Sequence, residues 1–242
     1  MALINNSVHY NPKIVTDGLI LCLDAANRKS YPGSGNTCSD LSNSVSAGSL
    51  QNGTLFNSAN GGSFVFDGTN DRIQINSPFG DIDWAGRAWS LSFWSKWDAF
   101  GDRGIINLNS ANNTHYCLNM ICGYGQFYWY FIQNSTTNQA SFFTSSSPVA
   151  VNQIFNFTIT YNGGGVFPQL ANVSNIKFYI NKNLVLTNAG GGASITNQSG
   201  IQLGGTNYAF DGNLYYVSMY NRALTQSDVT QNFNALRGRF GI

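Results

Sequence analysis

Apolar and polar residues alternate with a period of two along most of this chain, the pattern of strands with one buried face. In WSLSFWSKW (89–97), Trp89, Leu91, Phe93, Ser95 and Trp97 fall on one face and Ser90, Ser92, Trp94 and Lys96 on the other. FNFTITYNG (155–163) repeats the pattern with Phe155, Phe157, Ile159 and Tyr161. GIINLN (104–109), HYCLNMIC (115–122), QFYWYFIQ (126–133), GIQLGG (200–205) and GNLYYVSMYN (212–221) read as further strands. So does the apolar run GLILCLD (18–24), which feeds a long loop of turn formers. GGSFVFDGTNDRIQI (61–75) predicts a hairpin, with Phe64 and Phe66 before the turn and Ile73 and Ile75 after it. NIKFYINKNLVLT (175–187) predicts another, turning at Asn181 to Asn183.

One segment follows a helical period instead. In TQSDVTQNFNALRG (225–238), Thr225 can serve as N-cap with Asp228 near the N3 amide, Val229, Phe233 and Leu236 share a face, and Gly238 can end the helix. About a dozen strands at regular spacing with one terminal helix specify an all-β sandwich or barrel. No composition shift divides the chain, so residues 18–242 are expected to form a single domain behind an N-terminal arm, residues 1–17.

Composition narrows the chemistry. Only 10% of the 242 residues are charged, against roughly 25% in an average soluble chain, and the surface must draw its polarity from 32 Asn, 25 Ser and 15 Thr. All 11 acidic residues are Asp; with no Glu, every mechanism that needs one is excluded. A net charge of +1 leaves no basic excess for nucleic acid or an anionic membrane. Cys22, Cys38, Cys117 and Cys122 contain no C-x-x-C spacing. Reduced thiols, with Cys22 and Cys117 buried in strands, are the favoured reading; disulfides, in any of three pairings, would need an oxidising compartment. The opening MALINNSVHYNPKIV lacks the basic and apolar regions of a secretory signal, and no stretch is long enough to span a membrane. Seven N-x-S/T sequons are close to what this much Asn, Ser and Thr produces by chance.

The succession FVFDGTNDRIQI, WSLSFWSKW, FNFTITYNG, IKFYINKNLVLT and FDGNLYYVSMYNRALTQSDV resembles the concanavalin A-like lectin/glucanase superfamily, in its laminin G-like and pentraxin-like branch. Its most specific piece is the ending in which Phe210, Gly212, Tyr220, Asn221, Arg222, Ala223, Leu224, Thr225 and Asp228 recur at fixed spacing. The resemblance covers roughly residues 18–236 and implies a jelly-roll-like sandwich of two antiparallel sheets with one short C-terminal helix. The opening GLILCLDAANRKSYPGSGNTCSDLSNS and the tail QNFNALRGRFGI are similar to stand-alone modules among structural proteins of tailed bacteriophages. That implies a virion protein made in the host cytoplasm, oligomeric in the particle, a capsid decoration or other surface protein.

Catalysis finds no residues. The superfamily's glucanases use a Glu pair that this chain cannot supply, and the closely spaced carboxylates, Asp81 with Asp83 and Asp98 with Asp102, fall in turn-like sequence. G-x-S-x-G and phosphate-loop motifs are missing, and His9 and His115 have no supporting motif. The expectation is a non-enzyme, with weak glycosidase activity the remote alternative. No cofactor is required; the branch's pattern implies Asp102 and Asn207 as calcium ligands. For carbohydrate, the aromatic candidates near strand ends are Trp97, Tyr124, Trp129 and Tyr208, with Asn109, Asn112 and Asn113 to read hydroxyls. These support an alternative function, a tail or fibre adhesin recognising host glycans. The arm and the tail RGRFGI are the expected grips on other virion proteins.

Overall fold

In the computed structural model, the described residues are 12–42, 47–76, 86–101, 103–109, 116–123, 126–133, 138–143, 149–164, 176–187, 200–205 and 209–242; for 116–143 the description is of the backbone. Among the described residues, sixteen strands pair antiparallel in two sheets of eight. The first sheet runs β14 (Asn183–Thr187), β13 (Ile176–Ile180), β12 (Ile154–Tyr161), β7 (Trp89–Trp97), β16 (Asp211–Tyr220), β5 (Ser63–Asp67), β4 (Leu55–Asn57), with β1 (Leu19–Asp24) also paired to β16. The second runs β11 (Asn138–Phe143), β10 (Gln126–Gln133), β9 (Tyr116–Gly123), β8 (Arg103–Asn109), β15 (Gly200–Gly204), β6 (Arg72–Asn76), β3 (Ala47–Gln51), β2 (Thr37–Ser39). The all-β sandwich with one C-terminal helix, α1 (Gln226–Leu236), is as the sequence predicts. Strands β2, β3, β4 and β11 had no alternation strong enough to announce them, and the first two lie in what reads as loop.

The core is the inward row of each strand. Leu91, Phe93 and Trp97 of β7 meet Phe157, Ile159 and Phe178 of their own sheet and Ile73, Ile75, Ile105 and Leu203 of the other. The segment 61–75 is not a hairpin. β5 pairs with β16 (Phe66 beside Gly212) and β6 with β15 (Ile73 beside Leu203), so the chain arches from one sheet to the other. A four-residue span covers the ~10 Å between packed sheets, and the Asp67 amide, donating to Asp71 Oδ2 at 3.0 Å, closes the arch. Alternation reads the same for strands lying side by side and strands lying face to face. The 175–187 hairpin does form, with Asn181 and Lys182 both at positive φ (46° and 67°), the signature of a tight type I′ turn.

The outer face of the first sheet is covered as well. Thr225 caps α1 in a reciprocal capping box with Asp228, and Val229, Asn232 and Phe233 are buried against the sheet. Gly238 does not end the helix in a left-handed cap: the chain tightens into a 3₁₀ turn over Arg237–Arg239. Phe240 then stacks on Trp94 with ring centroids 4.5 Å apart, and Arg239 pairs with Asp24 at 2.8 Å. The expected arm is also partly docked. Val15 is buried, its amide donating to Asn232 Oδ1 at 2.8 Å and its carbonyl accepting from the Tyr220 hydroxyl at 3.0 Å. Residues 13–17 and the tail therefore belong to the domain, because the outer row of β7 and β16 presents Trp94, Tyr215 and Tyr216, which need cover. Ser90, Ser92 and Thr158 of that face are buried yet bonded: Ser92 Oγ lies 2.8 Å from Thr158 Oγ1, and Ser90 Oγ accepts the Leu224 amide at 2.8 Å. Cys22 and Cys38 are buried free thiols.

Candidate functional site

Of the aromatic residues expected from the sequence to form a sugar platform, Trp97 is the one whose side chain is described, and it faces the core. Trp97 has no exposed surface; its ring sits edge-on to Phe210 with centroids 4.8 Å apart, and its Nε1 donates to Ser95 Oγ at 3.1 Å. A stacking face needs access that it lacks, so Trp97 is core. Trp129 pairs with Met120 and Phe142 in the middle of β10, away from the strand's ends. Asn109 closes β8 six residues from Arg103, about 20 Å along the strand, so it stands at the opposite end of the sandwich from the Asp102 side. Tyr124, Tyr208, Asn112, Asn113, Asp102 and Asn207 lie outside the described residues.

Beside the position of Asp102, the described residues already carry a cation of their own. Arg103 donates to the Gly68 carbonyl at 3.1 Å and stands 3.6 Å from Asp211, so a guanidinium already ties the β5–β6 arch to the β15–β16 connection. A resident cation charge there disfavours a second one. Among the described residues, no three His, Cys, Asp or Glu side chains gather as a metal cluster. Asp98, one of the closely spaced carboxylates, is paired with Lys96 at 2.7 Å.

The described cavity that can hold a ligand lies elsewhere, on the outer face of the first sheet where the cover of α1 stops. It is a groove of about 550 Å³ between strands β12–β14 and the turn entering α1. The pleat places Thr160 and Asn162 on its side of the β12 end, Lys177 opposite Thr160 in β13, and Tyr179 opposite Leu184 in β14. Ala223, Leu224, Thr225 and Gln226 form the facing wall. That wall is fixed at both ends. Arg222 holds Asp228 at 2.8 Å and Asp17 at 2.9 Å, and Gln226 Nε2 donates to the Lys182 carbonyl in the hairpin turn at 2.9 Å. Lys182 is itself drawn over the Phe233 ring, 5.4 Å from its centroid.

The rim is exposed and the floor is not. Asn162, Lys177, Leu184, Thr225 and Gln226 are open to solvent, whereas Thr160 and Tyr179 are 3% and 2% exposed. Neither the Thr160 nor the Tyr179 hydroxyl has an intramolecular hydrogen-bond partner among the described residues, and neither oxygen is sealed from solvent, so both are open to water or a ligand in the groove. Burial raises the Tyr179 hydroxyl above its ordinary pKa, so it remains a proton donor at neutral pH. Desolvation works against the Asp228 carboxyl, but Arg222 and the Thr225 cap bonds hold it below its ordinary value. No carboxylate, imidazole or thiol lines the groove. The described lining offers hydrogen-bond donors and acceptors beside two leucines, a combination that suits a sugar. Sequence reasoning missed this site because its walls come from three distant segments. The only signal was polar residues at outward positions of otherwise apolar strands, in T-x-N at 160–162 and K-x-Y at 177–179.

The family model for the concanavalin A-like lectin/glucanases superfamily matches residues 67–230. The chain belongs to this superfamily. No curated protein matches the sequence. Among solved structures, the fold is shared with botulinum neurotoxin type C, whose cell entry is described as dependent upon interaction with two ganglioside molecules (TM-score 0.66, 16% identity, 92% of this chain and 52% of that one). It is shared also with the binding domain of botulinum neurotoxin DC in complex with rat synaptotagmin II (0.65, 15%, 92% and 52%). The type G receptor binding domain matches likewise (0.64, 17%, 90% and 51%). This chain spans about half the length of these structures, and at such identities the likeness is one of fold.

Proposed function

We propose that the chain is a non-enzymatic, lectin-like adhesion module on the surface of a tailed-bacteriophage particle, and that it holds a host glycan in the groove beside α1. The observation that carries this reading is the pair of hydroxyls without an intramolecular partner, Thr160 and Tyr179, that line the floor of a cavity with an amide and ammonium rim. Sugars offer dense hydroxyls to complete such donors and acceptors, and Leu184 and Leu224 give apolar contact for the ring's C–H face. Solved relatives in fold include the type G receptor binding domain and botulinum neurotoxin type C, whose cell entry is described as dependent upon interaction with gangliosides. The phage setting rests on the similarity of the segments beginning at Gly18 and ending at Ile242 to phage structural modules. The reading needs no metal.

A capsid decoration without sugar binding is the second reading. Its expected grips are the arm and tail; residues 13–17 and 237–242 of these pack against their own domain, and residues 1–11 lie outside the described residues. Two measurements test the proposal. Mass spectrometry of purified particles should find the chain, and its absence would overturn the virion assignment. A glycan array should return bound saccharides, and an empty array on folded protein would overturn the adhesin and leave the decoration.

A further inference from the structure

The groove's charge narrows the class of ligand, a step that rests on the adhesin reading. Of the cations on this side of the protein, Arg222 is held between Asp17 and Asp228, and Lys182 is laid over Phe233. Lys177 differs. Its side chain lines the groove, is exposed, and has no carboxylate partner among the described residues. None of the groove's lining residues is acidic, and the acid of the adjoining helix turn, Asp228, is consumed by Arg222 and the Thr225 amide.

Every other polar group that faces the cavity can donate a proton. The Thr160 and Tyr179 hydroxyls are free to turn theirs inward. The first turn of α1 forms one wall, and the capping box engages only the amides of Thr225 and Asp228. An ammonium and two hydroxyls able to donate line one cavity, and among the described lining residues no acid balances the lysine, which describes a receptor for negative charge. We propose that the groove selects saccharides bearing an acid group (a uronic acid, a sialic acid or a sulfate ester) with Lys177 as the counter-ion and Tyr179 and Thr160 as hydrogen-bond donors to the sugar.

The experiment is a glycan array in matched pairs, each neutral saccharide beside its uronated, sialylated and sulfated counterparts. Titration calorimetry of the best binder follows at about 50 mM and about 300 mM salt. Wild type is compared with Lys177→Ala, Lys177→Arg and Tyr179→Phe. Lys177 is exposed, so its variants should melt with wild type and report on binding alone. The proposal expects acidic members to exceed their neutral partners, affinity to fall at the higher salt, Lys177→Ala to lose about tenfold or more, and Lys177→Arg to retain most of it. The three acidic arms identify which acid is preferred. Equal binding of neutral and acidic partners, or an unchanged affinity in Lys177→Ala, would overturn the acidic preference while the adhesin reading stands. Binding to no saccharide at all would overturn both.

Discussion

Replacing Asn232 with alanine tests whether the chain's opening residues are structural. Asn232 is 6% exposed on the sheet side of α1. Its Oδ1 accepts the Val15 amide at 2.8 Å, its Nδ2 donates to the Tyr220 hydroxyl at 3.0 Å, and that hydroxyl donates to the Val15 carbonyl at 3.0 Å. Three groups from the two ends of the chain and from β16 thus form a closed, buried triangle. Alanine removes two of its sides and strands a buried N–H and a phenol lone pair. At about 1–3 kcal/mol for each unsatisfied buried group, partly relieved by water, the loss should come to about 2–4 kcal/mol. In a chain of this length that lowers Tm by roughly 5–15 °C. Urea unfolding followed by circular dichroism gives the free energy, and Tyr220→Phe with the double variant completes a cycle. Because the variants share bonds, the double variant should cost less than the sum. A cost for Asn232→Ala below about 0.5 kcal/mol, or strict additivity in the cycle, would refute the triangle and return residues 13–17 to the status of a loose arm.

Two further outcomes follow from packing and titration. Gly212 has φ of 147°, and a Cβ there would lie 2.1 Å from the Lys96 carbonyl oxygen. Gly212→Ala should therefore cost about 3 kcal/mol or more in a thermal melt, and near-wild-type melting would contradict the pairing of β16 with β7. Burial pushes the Cys22 and Cys38 thiols and the Tyr220 hydroxyl each up to about 12, from ordinary values of 9.0 and 10.0. The folded chain then keeps protons that the unfolded chain releases, so stability from these groups is complete below about pH 9 and drains away toward pH 12. The urea midpoint should fall across that range, less steeply in Cys22→Ala. With Cys117 and Cys122 replaced by serine, a thiol reagent at neutral pH should react only after denaturant is added; prompt reaction in the native state would show that Cys22 or Cys38 is accessible.

Local chemistry made much of this protein legible from sequence. Period-two writing placed β7, β12, β13 and β16 and told which row faces the core. Thr225 with Asp228 announced α1, and the Asn181–Lys182 pair marked a hairpin turn, because caps and turns are decided by neighbours in the chain. The absence of Glu removed the superfamily's hydrolytic pair without any coordinates. What the sequence could not decide was which surfaces meet. The alternation of 61–75 suits a hairpin and an arch equally, and only pairing with β16 and β15 chose the arch. Trp97 has the composition of a sugar platform and the position of a core residue. The tail and residues 13–17 look peripheral until Trp94 and Tyr216 are seen to need cover. The groove joins residues near 160, 180 and 225, and no local rule brings them together. Strand pairing and burial are contacts between distant segments, and a one-dimensional pattern records that a face is apolar or polar without naming what it will meet.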